Sequence, residues 1–252
     1  DSILLFNQNP PRNTLSKMRV AIIIVGMGLG GTERRAVSLY EHFKDRSDEV
    51  VLYSIRDACI IESFENRNAT SEGMLGKAKV VLKLARFLKR FKPQVIHAMD
   101  WESSFYSSLC KPLVPKSTLI AGYGAGLIDN KRVIQFLKSG LNKASLYICN
   151  SERGKAAILD ILPKADVKVI RNGIGEVKVS QETPPFHPMK DHIRIGYIGK
   201  LDKYKHGERM VDIAVALHQR ARNNYQFIVI GEGEFMSDAK ANLSRYPELE
   251  KK

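Results

Sequence analysis

No run of the 252 residues approaches the roughly 20 apolar positions that a membrane-crossing helix needs, so no such helix is expected. The short apolar stretch from Ile3 to Phe6 has no basic leader and is too brief for a secretory signal, which points to a cytoplasmic protein. Cysteine is scarce: Cys59, Cys110 and Cys149 are three, odd in number and far apart, which argues against a disulfide framework or a zinc cluster and for a reducing compartment. Acidic residues are also short, 27 against 40 Lys and Arg, leaving a formal charge of +13. That excess favours an anionic partner, whether a nucleotide diphosphate, a nucleic acid or an acidic bilayer, without choosing among them. The basic residues are not interleaved with exposed aromatics, as single-strand stacking platforms require, which weighs against nucleic acid. Hydrophobic residues make up 44%, ordinary for a globular chain with a proper core, and enough length is present for one large or two modest domains.

What is present is organised around Arg19 to Tyr40. Val20 to Val25 is an unbroken, mostly β-branched run that suits a parallel strand covered on both faces. Gly26, Gly28, Gly30 and Gly31 follow, and Ala36, Val37, Leu39, Tyr40 and Phe43 mark the apolar side of a helix with Thr32 as its expected N-cap. Glu33, Arg34 and Arg35 crowd the first turn. A free helix start with a glycine lip suits a phosphate or carboxylate. Gly26, Gly28 and Gly31 also satisfy G-x-G-x-x-G, with Asp57 past the next strand as a ribose-binding acid, so a dinucleotide fold remains open on these residues alone.

Further along, Val50 to Ser54 reads as a strand, and Met74 to Phe91 as a helix with Lys79, Lys83, Arg86 and Arg90 in one stripe. Leu75, Ala78, Val81, Leu82, Ala85, Leu88 and Phe91 are expected on another side. Such a stripe suits either an anionic lipid surface or the solvated back of a helix covering a sheet. The segment from Val95 to Trp101, VIHAMDW, places His97 and Asp100 at a strand's carboxyl end, where open α/β sheets hold ligands. Thr118 to Gly122 is a strand followed by the glycines 122, 124 and 126; Lys131 to Lys143 is a helix; Leu146 to Asn150 is a strand; Ser151 caps a helix stopped by Pro163; and Val167 to Ile170 is a strand closed by Asn172 and Gly173. Residues 179–192, with three prolines, read as a linker. Beyond it come a strand from Arg194 to Ile198, a basic loop from Gly199 to Gly207, a helix marked by Met210, Ile213, Ala214, Leu217 and Ala221, and a strand from Gln226 to Ile230. The expected layout is an extension over 1–18, an α/β domain over 19–178, the linker, and a partial α/β domain over 193–252. Two strands and two helices are too few to cover both faces of that last sheet, so the second domain is expected to be cut short.

Taken together, Gly30-Gly31-Thr32-Glu33-Arg34, VIHAMDW, Asn150-Ser151, Ile170-Arg171-Asn172-Gly173, GKLDKYKHG from Gly199 and Gly231-Glu232-Gly233-Glu234 resemble the retaining GT-B glycosyltransferases of the group 1 or family 4 type. The resemblance implies two Rossmann-like domains with parallel sheets, the acceptor on the first and a nucleotide-sugar, UDP- or GDP-linked, mainly on the second, with no metal required. It implies transfer of a sugar to a glycan or lipid-linked acceptor in cell-surface polysaccharide or glycolipid synthesis, with peripheral attachment to the inner face of the plasma membrane. Catalytic roles fall on His97, Lys200 and Lys205, and donor-binding roles on Gly30, Gly31, Asn172, Gly199, Gly231 and Gly233. Lys200 and Lys205 match the Arg and Lys with which the family grips the departing diphosphate; Lys200 keeps the charge but loses the bidentate fork. The family often has His-x-His where this chain reads His97-Ala98-Met99. Its glutamate pair, E-x7-E, is expected beyond Lys252. Two rivals stand beside this reading. A nicotinamide-dependent oxidoreductase would use Gly26, Gly28, Gly31 and Asp57, and a non-enzymatic basic nucleotide- or nucleic-acid-binding module would use the net charge.

Overall fold

The central strand β1 (Arg19–Ile24) is buried along Val20 to Ile24 on both of its faces, because a β-branched run flanked by two other strands has no wet side. In this computed structural model, residues 17–27, 30–46, 48–56, 73–124, 130–173, 192–202, 205–207, 209–220 and 225–246 are described. The chain divides into two compact units, Asp1–Glu176 and Val177–Lys252.

In the first unit, β2 (Glu49–Ser54) lies on one side of β1. On the other side lie β3 (Val95–Ala98), β4 (Thr118–Tyr123), β5 (Leu146–Cys149) and β6 (Val167–Val169), every pair parallel and in the order β2-β1-β3-β4-β5-β6. The chain moves outward from β1 to β2 through α1 (Gly31–Asp45), then returns over β1 through α2 (Gly73–Phe91) and continues outward through α3 (Trp101–Cys110), α4 (Lys131–Lys138) and α5 (Glu152–Ile161). Right-handed crossovers therefore put α1 on one face and the others on the opposite face. The packing agrees. Ala36 of α1 joins Val20, Ile22, Ile24, Leu52 and Met99 in one cluster. Leu84 and Leu88 of α2 and Tyr106 of α3 meet Ala21, Ile23, Ile96 and Ala98 in a second. Leu137 of α4 and Ile158 of α5 meet Ala121, Tyr147 and Cys149 in a third. The direction reverses between β1 and β3, and that switch point is where sheets of this kind leave a crevice at the strand ends.

Several elements depart from the sequence reading. Helix α1 starts at Gly31 with extended Gly30 as its N-cap and no side-chain cap, not at Thr32. Glu33, at the third helical position, folds its carboxylate against Gly30 and covers that end. Helix α2 is rotated from the expected setting. Val80, Leu84, Ala85, Phe87 and Leu88 are buried, whereas Ala78 faces solvent and Leu82 is 57% exposed. The stacking of Phe87 on Tyr53, with ring centroids 4.7 Å apart, and of Phe91 on Phe87 fixes this rotation. Lys79, Arg86 and Arg90 face outward, with Lys83 half-buried. Helix α3 was not foreseen, because its buried side carries serines rather than a hydrophobic stripe. Helix α4 ends five residues before Lys143, where the Ser139 hydroxyl donates to the Phe136 carbonyl at 2.7 Å and accepts from the Leu141 amide. The Asp57 position, Cys59, Gly28, Gly126 and nearly all of the proline-rich segment lie outside the described residues.

The second unit pairs β7 (Ile193–Ile198) in parallel with β8 (Tyr225–Ile230) across α6 (Arg209–Arg220), and α7 (Met236–Leu243) follows. Its strands remain open to solvent: Ile198 is 81% exposed, Ile193 50% and Ile230 49%. Ile213 of α6 is also exposed rather than buried as its spacing predicts.

Candidate functional site

At the switch point the ends of β1 and β3 are joined by one carboxylate. Asp100 caps α3 by accepting from the Ser103 amide through Oδ1 at 2.8 Å, and through Oδ2 it accepts from the Val25 amide at 3.1 Å. The Ser103 hydroxyl in turn accepts from the Asp100 amide, which completes a capping box. Asp100 thereby fixes where the glycine loop leaves β1. Burial raises its pKa above the ordinary carboxylate value, and these hydrogen bonds oppose the rise. At the end of β4, Gly122 is required by close approach: a Cβ there would stand 3.0 Å from the carbonyl oxygens of both Ala98 and Met99.

His97 is the third residue of β3, half-buried, and shares the sheet face of Val95. Its pKa is lowered to about 4, first by loss of water around the ring and then by the positive charge of Arg35. It is therefore a neutral imidazole near pH 7, a hydrogen-bonding group rather than a cation. Arg35, in the first turns of α1, donates through Nη1 to Oδ1 of Asn172 at 3.0 Å and through Nη2 to the Met99 carbonyl at 3.5 Å. Gly30 and Gly31 open the helix that carries Arg35; both are exposed, and nothing stands within 4 Å of a Cβ placed on Gly31. The first unit thus gathers His97 and Asn172 around Arg35, with the glycine pair at the start of the same helix.

Sequence reasoning missed Arg35, yet a signal was available. Two adjacent cations close to the start of a helix oppose its dipole, which favours a partner elsewhere for at least one of them. Asn150, just past β5 and quoted above only as part of the resemblance, has its Oδ1 buried without a hydrogen-bond partner among the described residues. The two described cysteines, Cys110 and Cys149, are buried free thiols pushed up to about 12 and about 11 by burial, which leaves them unreactive.

In the second unit the two glycine stretches form one interlocked turn at the carboxyl ends of β7 and β8. The Gly199 amide donates to the Ile230 carbonyl at 3.0 Å, the Leu201 amide to the Glu232 carbonyl at 2.9 Å, and the Phe235 amide to the Leu201 carbonyl at 3.1 Å. Gly231 has φ +155°, and a side chain on it would overlap the Gly199 carbonyl; one on Gly233 would overlap the backbone of Leu201. The Tyr197 hydroxyl donates to the carbonyls of Lys200 at 2.9 Å and Lys205 at 3.4 Å. Asp202 accepts from the Lys205 amide at 2.8 Å through Oδ1. Lys200 and Lys205 both lie exposed on this braced loop. No group of three or more His, Cys, Asp and Glu suited to a metal ion occurs among the described residues.

The model of Glycosyltransferase Family 4 matches residues 29–176, more than half of the chain. The chain belongs to glycosyltransferase family 4. Its fold is that of GT-B glycosyltransferases, shared with solved structures of low sequence identity. The lipopolysaccharide outer core galactosyltransferase WaaB in its apo form is 19% identical with a TM-score of 0.63, over 93% of this chain and 66% of that one. The HepE protein of Anabaena, solved with UDP and glucose, is 16% identical with a TM-score of 0.64, over 90% of this chain and 66% of that one. Sucrose-phosphate synthase of Thermosynechococcus elongatus is 15% identical with a TM-score of 0.64, over 93% and 68%. The family 4 chain therefore spans about two thirds of the length of these relatives. None of the curated proteins compared with it matches.

Proposed function

We propose that this family 4 chain is the larger part of a retaining hexosyltransferase that moves a sugar from a UDP- or GDP-sugar to a glycan or lipid-linked acceptor in cell-surface polysaccharide or glycolipid synthesis. The observation that carries the reading is the braced loop of the second unit, where Tyr197, Asp202 and the interlocked glycines hold Lys200 and Lys205 in place. When the bond from the anomeric carbon to the diphosphate breaks, negative charge grows on the departing phosphate. Cations and backbone donors fixed beforehand stabilise that charge without reorganising. In this reading Lys200 and Lys205 supply the charge that a metal ion supplies elsewhere, and Gly199, Gly231 and Gly233 let a diphosphate approach the main chain. On the first unit, Gly30, Gly31 and Asn172 bind substrate, and neutral His97 accepts or donates a hydrogen bond to a sugar hydroxyl. The mixed glycine signal at Gly26 and Gly31 does not favour a nicotinamide enzyme, which leaves the lysine loop without a role.

The same reading places the enzyme in the cytoplasm against the membrane's inner face. The cationic stripe of α2, with Leu82 exposed within it, is the surface that would meet anionic lipid.

Calorimetry of the 252-residue chain with UDP, GDP and NAD tests the central point. A nucleoside diphosphate should bind, NAD should not, and Lys205→Ala should weaken the diphosphate. In a protein with a completed second domain, the same substitution should lower turnover by about 100-fold or more, as loss of an oxyanion donor does. Tight NAD binding that survives loss of both lysines would overturn the assignment.

A further inference from the structure

The loop after β6 lies in an unexpected place. Strands β3 and β6 are three positions apart in the sheet, so their ends are separated by about 14 Å at ordinary strand spacing. One planar guanidinium nevertheless reaches the Met99 carbonyl, just past β3, and the Asn172 side chain, just past β6. Both contacts are met only if the chain beyond Val169 doubles back over the ends of β5 and β4. The return begins after Ile170, whose amide still donates to the Cys149 carbonyl at 2.8 Å as the last rung of the β5–β6 ladder.

We propose that Arg35 is a positioning residue of the strand-end site, whose fork draws the Asn172 segment over the ends of β4 and β5 and whose charge faces His97. Arg35 uses two of its five N–H donors in these bonds, and a lysine, with a point charge and no fork, could keep the charge but not both contacts. The surroundings of His97 leave Arg35 as the charge that acts on it. Its register neighbours, Ile22 on β1 and Ile120 on β4, are uncharged. Asp100, three residues on, is engaged by the Val25 and Ser103 amides. Neighbouring Glu33 is turned back onto Gly30. Charge and fork are therefore separable functions of one side chain. Together they present a neutral imidazole and a fixed amide to the same crevice, a pairing suited to uncharged sugar hydroxyls.

This inference rests on reading the strand ends as the transfer site, but its test needs no substrate. NMR on the 252-residue chain, with histidine rings and asparagine amides labelled, would follow His97, assigned through His97→Gln, and Asn172, assigned through Asn172→Ala. In the unaltered chain the His97 midpoint should lie near pH 4. Arg35→Gln should raise it by up to about one pH unit, since loss of water around the ring is the larger cause of the lowering, and shift the Asn172 amide toward a solvent-exposed value. Arg35→Lys should leave the midpoint low yet still release Asn172, and Asn172→Ala should leave the midpoint low. An unmoved midpoint in Arg35→Gln, or an unmoved Asn172 amide in both Arg35 variants, overturns the proposal. Should Arg35→Gln not fold, the Asn172 amide in Arg35→Lys still decides it. Failure here with diphosphate binding intact would remove Arg35 alone. Success here with no diphosphate binding would remove the transfer reading alone.

Discussion

At residue scale, the acid-base behaviour of the strand-end crevice carries opposite signs at two neighbouring positions. His97 holds its proton less tightly in the fold, about 4 against 6.5, so between those values the unfolded chain binds more protons and folding stability falls as the pH drops. The whole effect is bounded at about 3 kcal/mol, less where the half-buried ring keeps water. Asp100 contributes the reverse: its raised value means the fold binds more protons, so its share of stability is lost as pH rises through its titration. Urea unfolding at pH 7 and pH 4.5 should therefore show a loss of stability in acid that His97→Gln diminishes; an identical loss in the variant would remove His97 from the account. In the lysine loop, Tyr197→Phe deletes one hydroxyl and nothing else. About 1 kcal/mol of local stability should go with it, and nucleoside diphosphate affinity should fall by up to roughly a factor of five as the loop loses its brace. Calorimetry beside a thermal melt reads both quantities.

At the scale of elements, α3 and α2 show how a helix can be present yet written in an unfamiliar way. In α3 the buried positions 103, 104, 107 and 108 are all serine. The hydroxyls of Ser103 and Ser104 return to the Asp100 carbonyl at 2.9 and 2.8 Å, so small polar side chains occupy a face where periodicity looks for leucine. The start signal was legible, since Asp100 with Ser103 is a capping box, but it reads as such only once the strand is known to end at Ala98. Asp100→Ala should cost about 1 to 3 kcal/mol, combining a lost cap with an unpaired Val25 amide, whereas Asp100→Asn should recover only the capping share, because its single carbonyl oxygen can accept from Ser103 while its NH2 meets the Val25 amide donor to donor. Equal losses in chemical denaturation would show that the bond to the Val25 amide, rather than the cap, carries the cost. In α2, Leu88→Ala should cost about 2 to 5 kcal/mol, while Leu82→Ala should stay within about 0.5 kcal/mol. Comparable losses at both positions would return the helix to the setting its sequence suggests, in which Leu82 and Leu88 share the apolar side.

At the scale of the whole molecule, the charge excess has a defined outlet in the exposed part of α2. If Lys79, Lys83, Arg86 and Arg90 meet anionic lipid, binding to vesicles containing phosphatidylserine should weaken steeply with salt, because surface attraction is screened within about 10 Å at 0.1 M. Lys79→Glu with Arg86→Glu should abolish the binding, while Leu82→Ser should weaken it without changing its salt slope. Vesicle binding unchanged by the double reversal would leave the stripe as a solvated helix back. The second unit shows the complementary feature: its two parallel strands keep Ile193, Ile198, Val229 and Ile230 open to water, which a parallel sheet covers when complete.

The sequence by itself determined the local units. A β-branched run from Val20 and glycines at its end made β1 and the presence of α1 readable, though not the residue at which α1 begins. Ser151 and Asn130 cap α5 and α4 by bonds that their own short-range geometry supplies. The motifs around His97, Asn172, Lys200 and Gly231 were likewise visible, because residue type and spacing carry them. Relations between distant segments came from the folded sheet. The order that sets β1 beside β3 created the switch point, and the stacking of Phe87 on Tyr53 set which side of α2 is dry. Main-chain bonds between Leu201 and Glu232 locked two glycine stretches into one turn. Arg35 was legible only as one of the charges crowding the start of a helix; its partner Asn172 lies 137 residues away. A helical period or a glycine turn follows from near neighbours along the chain, whereas the partner of a charge follows from the path of the whole sheet.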